Sequence, residues 1–125
     1  MGMYICVDFD GTVVTHEYPA VGRDLGAERI LKRLVIKGHL LILWTMRSGK
    51  ELQDAVDWYE ERGIPLYGIN HNPDQSSWTS SPKAYGHLYI DDAALGAPLT
   101  FPADGGSPHI CWDKVEAMLR ETRVL

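Results

Sequence analysis

The chain has 125 residues, of which 45% are hydrophobic and 23% charged, and it carries a net charge of −5 at pH 7. That length supports one hydrophobic core and leaves no room for a second, so residues 1–125 are expected to form a single domain. The acidic balance excludes a protein whose main task is to coat nucleic acid, because such binding needs Lys and Arg against phosphates; it leaves open a small anionic ligand at a site that is locally positive or holds a metal. The longest apolar run, Leu40 to Trp44, is far short of the roughly 20 residues that cross a bilayer. The N-terminus lacks the basic region and small-residue cleavage site of a secretory signal, and the expected compartment is the cytoplasm. Cys6 and Cys111 form neither a disulfide framework nor a metal-ligand spacing.

Tyr4 to Val7 is a short β-prone run that stops at Asp8-Phe9-Asp10-Gly11-Thr12, where two acids, a glycine and a hydroxyl mark a strand end. Ala27, Ile30, Leu31, Leu34 and Val35 recur with the spacing of an amphipathic helix, stopped by Gly38. Leu40 to Trp44 shows no alternation and reads as a strand covered on both faces, ending in Thr45. Ser48 and Glu51 match a capping box, so a second helix is expected from about Gly49 to Gly63, with Leu52, Ala55, Val56 and Tyr59 inward. Leu66 to Ile69 is a third strand, and Asn70 to Pro82 a polar, turn-rich loop long enough to be a functional element. His87 to Ile90 is a fourth strand running into Asp91-Asp92, and Leu99 to Phe101 a fifth. Asp113 and Glu116 match a capping box for a last helix with Val115, Met118, Leu119 and Thr122 on one face.

Strands alternating with helices imply right-handed crossovers and an α/β fold: a three-layer, Rossmann-like, mostly parallel five-stranded sheet with helices on both faces. Ligands of such folds sit beyond the carboxyl ends of the strands. Strands ending at Asp8, Thr45 and Asp91 deliver polar groups to that one edge. Asp8 and Asp10, about 7 Å apart along a strand, can point to the same face while Phe9 packs the other way. One carboxylate can attack while the other handles protons. With Asp91 and Asp92, four carboxylates converge, and their repulsion asks for a hard cation such as Mg²⁺. Gly11 and Thr12 offer backbone amides, Thr45 a hydroxyl, the helix capped at Ser48 its N-terminus, and Lys83 a fixed cation, a set that suits a phosphoryl group.

The sequence resembles the haloacid dehalogenase superfamily. Asp8-Phe9-Asp10-Gly11-Thr12 looks like its first motif, Leu41 to Thr45 its second, Lys83 its third and Ile90-Asp91-Asp92 its fourth, in the family's order. The resemblance implies a Mg²⁺-dependent phosphomonoester hydrolase in which Asp8 forms an aspartyl-phosphate and Asp10 acts as general acid and base. It further implies that Thr45 and Lys83 bind the phosphoryl group, with Gly11, Thr12, Met46 and Arg47 as neighbouring contacts. Mg²⁺ would be held by the Asp8 carboxylate, the Asp10 carbonyl and the Asp91-Asp92 pair, Asp92 as direct ligand and Asp91 behind it.

Lidded members of that family insert a cap after the first motif or between the second and third. Here residues 11–39 already hold a helix and residues 46–82 a helix, a strand and the polar loop, so neither gap accommodates a cap. The chain looks like a capless member, similar to small bacterial phosphatases that share Trp-Thr-Met-Arg and Leu-Tyr-Ile-Asp-Asp. An open site suits a bulky, even macromolecular, phosphorylated substrate, or a lid supplied by a partner or a second copy. The alternative is a non-catalytic domain that binds a phospholigand or regulates a partner. A phosphorylatable receiver-type domain fits less well, because its accepting acid ends a later strand. Arg29, Lys32, Arg33 and Lys37 are expected as a solvated helix face. The five histidines show no zinc-ligand spacing, although His16 and the Asn70-His71-Asn72 segment are placed to line a site mouth. Trp78 is expected to pin its loop.

Overall fold

The apolar run at the N-terminus forms strand β1 (Tyr4–Val7) and the second run β2 (Leu40–Leu43), paired in parallel with Tyr4 opposite Leu40 and Val7 opposite Leu43. Between them lies helix α1 (Ala27–Ile36), which buries Ala27, Ile30, Leu31 and Leu34. Asp24 starts it: one carboxylate oxygen accepts from the amides of Gly26 at 3.0 Å and Ala27 at 2.7 Å, satisfying donors that a helix start leaves orphaned. The structure, a computed structural model, describes residues 2–125, so Met1 of the expected 1–125 domain lies outside the described residues. Among the described residues no helix is long and apolar enough to cross a membrane.

Helix α2 (Gly49–Glu61) buries Ala55, Trp58 and Tyr59 and leads to β3 (Gly68–Ile69), parallel to β2. Its expected capping box does not form, since Ser48 makes no side-chain cap hydrogen bond. Strand β4 (Leu88–Ile90) then pairs with the other edge of β1, giving the order β3-β2-β1-β4, all parallel.

The expected fifth strand does not join this sheet. Leu99–Thr100 (β5) pairs antiparallel with His109–Ile110 (β6) as a separate hairpin, so the main sheet has four strands. The hairpin's anchor explains the diversion. The Ile110 amide donates to the Gly11 carbonyl at 3.0 Å, and the indole N–H of buried Trp112 donates to the Thr12 carbonyl at 2.6 Å. The segment is spent on holding the turn after β1.

The helices do not cover both faces of the sheet, as expected, but one. Ile5, Val7, Leu41 and Leu43 pack into one core with the buried residues of α1, of α2 and of α3 (Trp112–Glu121). Two successive crossovers that move the same way across the sheet with the same hand fall on the same face. The opposite face, carrying Cys6 and Ile42, is covered by Ala84 with Tyr4 and Trp44. The residue 70–86 segment that supplies Ala84 is built around two buried amides. Asn72 donates to the Tyr85 carbonyl at 2.9 Å, and Gln75 donates to the carbonyls of Ser81 and Lys83 and accepts from the Tyr85 amide.

Asp113 and Glu116 do not form the expected capping box of α3; they pair with α1. Arg29 donates to both and Arg33 to Glu116, each at 2.8 Å, so the cationic face of α1 is only partly solvated. Arg29, Arg33 and Arg120 around Glu116 pull its carboxyl down to about 2. Because these groups are accessible to water, the packing of α1 and α3 rests more on Leu31, Leu34, Val115 and Leu119 than on this network. Truncating Leu34 to Ala is expected to destabilise the fold by about 2–5 kcal/mol, the range for a fully buried leucine, measured as a lower urea midpoint with an unchanged slope.

Candidate active site

Register creates the site. Val7, Leu43 and Ile90 lie level across β2, β1 and β4, and Ile69 of β3 lies level with Leu43. The chains therefore leave the sheet side by side, as Asp8, Trp44-Thr45, Asp91-Asp92 and Asn70. Central β1 is flanked by β2, reached through α1, and by β4, reached by a return across the whole sheet, which is the switch in strand order where α/β folds bind ligands. A cavity of about 370 Å³ opens there, lined by Asp8, Trp44, Thr45, Met46, Asn70 and Asp91. A second cavity, about 260 Å³ between β4, the hairpin and α3, is mostly apolar, with Tyr89, Asp91 and Thr122 as the polar side chains on its lining.

Carboxylate oxygens of Asp8, Asp91 and Asp92 lie within 4.8 Å of one another. The fully buried Thr12 hydroxyl organises them: it donates to Asp8 Oδ2 at 2.7 Å, lies 3.1 Å from Asp92 Oδ1 and accepts from the Asp92 amide at 3.0 Å. Burial, a hydrogen bond with Asp92 and the charges of Asp91 and Asp92 push the Asp8 carboxyl up to about 8, against the Thr12 hydrogen bond that lowers it. Gly11 sits at φ +78°, and a side chain there would run into the His16 ring and the Asp92 carboxylate. His16 closes this side with Nε2 3.1 Å from the Pro108 carbonyl and 3.4 Å from Asp92 Oδ2.

The structure brings Asp8, Thr45, Met46, Asp91 and Asp92 to one edge, but redirects other expected site residues. Arg47, expected as a contact of the phosphoryl group, has its side chain turned into the fold. It is 3% exposed, and its guanidinium clasps both Asp10 oxygens at 2.7 and 2.8 Å. The Asp10 carboxylate thus stands apart from the other three, while its carbonyl accepts no hydrogen bond among the described residues. The Gly11 and Thr12 amides cannot cradle a phosphate, because they donate to the carbonyls of Val14 at 2.7 Å and Phe9 at 3.2 Å. Among the described residues Lys83 forms no ion pair with an acid; its amine lies over the Tyr89 ring at 5.5 Å. No residue of the first turn of α2 lines the cavity.

Other groups come forward. Among the described residues, the amides of Phe9, Asp10 and Met46 meet no protein acceptor, and Met46 itself is 98% exposed. Asn70, at φ +56°, accepts from the Thr45 amide at 2.8 Å and fixes the loop after β2, whose Thr45 hydroxyl accepts from the Arg47 amide at 3.1 Å. Asn72, expected with it at the mouth, is buried in the 70–86 segment. Trp78 packs edge-on against Tyr85 at 5.5 Å and keeps most of its surface in solvent.

With a four-stranded parallel sheet, three helices and an acidic strand edge, this is an α/β protein. The chain is similar to a solved structure described as a conserved protein coded by a locus of Bacteroides thetaiotaomicron, at 35% identity and a TM-score of 0.77 over 98% of this chain and 93% of that one. It belongs to the same family as that protein. No family model and no curated protein match it.

The raised Asp8 carboxyl makes stability depend on pH. Between an ordinary carboxylate value near about 4 and about 8, folded Asp8 holds a proton that the unfolded chain has lost. The folded state binds more protons there, so metal-free stability falls as pH rises through that window. The urea midpoint is expected to be lower at about pH 8 than at about pH 5, and Asp8→Asn is expected to flatten that slope.

Proposed function

We propose that this protein is a phosphomonoester hydrolase that works through an aspartyl-phosphate on Asp8. The observation that carries this reading is the placing of Asp8 at the end of the central strand, grouped with Asp91 and Asp92 and opening with Thr45 into one cavity. Three hard carboxylate donors, one with a raised carboxyl, suit Mg²⁺ better than a softer metal. Asp8, Asp91 and Asp92, with the Asp10 carbonyl, would hold it. Bound there, Mg²⁺ supplies Lewis-acid charge against the phosphoryl oxygens.

In the first step an Asp8 oxygen bonds to phosphorus as the bond to the leaving oxygen breaks. In the second, water attacks the same phosphorus, releases phosphate and restores the carboxylate. Thr45 and Met46 line the cavity beside Asp8, and the Met46 amide, which meets no protein acceptor among the described residues, and the Thr45 hydroxyl are the groups offered to the developing charge of the phosphoryl oxygens. By the resemblance to haloacid dehalogenases, Asp10 handles the protons and Lys83 adds a cation once the site is engaged. The open edge suits a bulky phosphorylated substrate, or a lid from a partner or a second copy. The two free cysteines, Cys6 buried among them, suit the reducing cytoplasm.

One observation favours a second reading, a domain that binds a phospholigand without turnover: the Asp10 carboxylate is clasped by Arg47. A phosphatase screen over sugar, nucleotide, oligonucleotide-end and peptide phosphates separates the two. Mg²⁺-dependent release of phosphate, with Asp8→Asn folded and inactive, is the expected result. Tight phospholigand binding without release by the wild type would establish the second reading, and undiminished turnover by Asp8→Asn would rule out the covalent mechanism.

A further inference from the structure

The Arg47 side chain is among the most thoroughly engaged groups in the molecule. Its Nε donates to Asp10 Oδ2 at 2.8 Å and one terminal nitrogen to Asp10 Oδ1 at 2.7 Å. The same terminal nitrogen donates to the Ala20 carbonyl at 2.8 Å, and the other to the carbonyls of Pro19 and Glu51, each at 3.2 Å. All five N–H groups of the fork are used. The guanidinium carbon lies 5.2 Å from the Phe9 ring centre and 5.1 Å from that of Tyr18, a cationic plane between two aromatic groups. Its backbone amide meanwhile donates to the Thr45 hydroxyl.

One residue thus joins the segment that follows β1, the first turn of α2 and the loop that follows β2. The first of these pieces carries Asp10 and the last carries Thr45. A planar fork that clasps a carboxylate through two parallel bonds fixes its direction as well as its distance, which a lysine cannot do. Each Asp10 oxygen still has a lone pair free to accept from a water or a substrate hydroxyl.

We infer that Arg47 is a positioning residue: it fixes the direction of the Asp10 carboxylate and the Thr45 hydroxyl relative to Asp8 without touching the substrate. This rests on the hydrolase reading. A displacement of Asp10 by the length of a lost fork bond is enough to lower turnover on the order of 10²-fold, while leaving the substrate's other contacts in place.

The test compares wild type, Arg47→Lys, Arg47→Ala and Asp10→Asn, each shown to be folded by circular dichroism at the assay temperature. With an aryl phosphate and Mg²⁺, Arg47→Lys is expected to lose on the order of 10²-fold in kcat with little change in KM, and methylguanidinium to restore part of the kcat of Arg47→Ala. In wild type the Arg47 Nε–H is expected as a slowly exchanging nuclear magnetic resonance signal that Asp10→Asn removes. Wild-type turnover with unchanged kcat in Arg47→Lys would overturn the positioning role alone. A rapidly exchanging Arg47 Nε–H in wild type would overturn the clasp whatever the activity. Absence of wild-type turnover with the Nε–H signal intact would overturn the hydrolase reading, and with it the part given to Arg47 in that reaction.

Discussion

A single hydroxyl group, that of Thr12, joins carboxylates that belong to different strands, and the acidic edge is organised around it. Asp8 ends β1 and Asp92 follows β4, and without a shared partner their like charges would part the two chain ends. Thr12 donates to one, stands beside the other and accepts from the amide of Asp92, so it ties the strand ends together by side chain and backbone at once. Being fully buried, it does this as part of the scaffold, out of reach of a ligand. Its position follows from the turn at Gly11, where positive φ and the close approach of His16 and Asp92 exclude a side chain.

The order of the strands explains why that tie falls where it does. Two crossovers in the same direction place α1 and α2 on one face, and the chain must then return across the sheet to lay β4 beside β1. The return runs over the helix-free face as an irregular segment, and irregular backbone has polar groups that need partners. Asn72 and Gln75 supply them from their side chains, doing for this segment what intrahelical bonds do for a helix. The result is a sheet whose faces are covered by different means, with its central strand opening at the point where the strand order reverses.

Much of this was legible in the residues. The apolar runs marked β1 and β2 closely, the period of Ala27, Ile30, Leu31 and Leu34 marked α1, and acids at strand ends marked the edge. What escaped was set by tertiary partners. Leu99 and Thr100 have the composition of a strand, yet nothing local says whether they extend the sheet or pair with His109 and Ile110. Arg47 follows Thr45 closely at a strand end, which suggests an anion contact, but its fork found a carboxylate and three carbonyls that the fold brought near. Asp113 and Glu116 have the spacing of a cap, and the guanidinium groups of α1 claimed them instead. The free amides of Phe9 and Asp10 leave no mark in side-chain identity, because any residue except proline carries one.

The grip of the C-terminal segment on the turn after β1 has a consequence for the order of events when the chain is made. Asp8, Asp10 and Thr12 leave the ribosome early, and Asp91 and Asp92 well after them, so a growing chain can hold every acid of the edge before Ile110 and Trp112 exist. Until those two arrive, the carbonyls of Gly11 and Thr12 lack the donors that hold the turn in place. The acidic edge thus takes its final form only after Ile110 and Trp112 have been synthesised, which separates possession of the chemical groups from possession of the site.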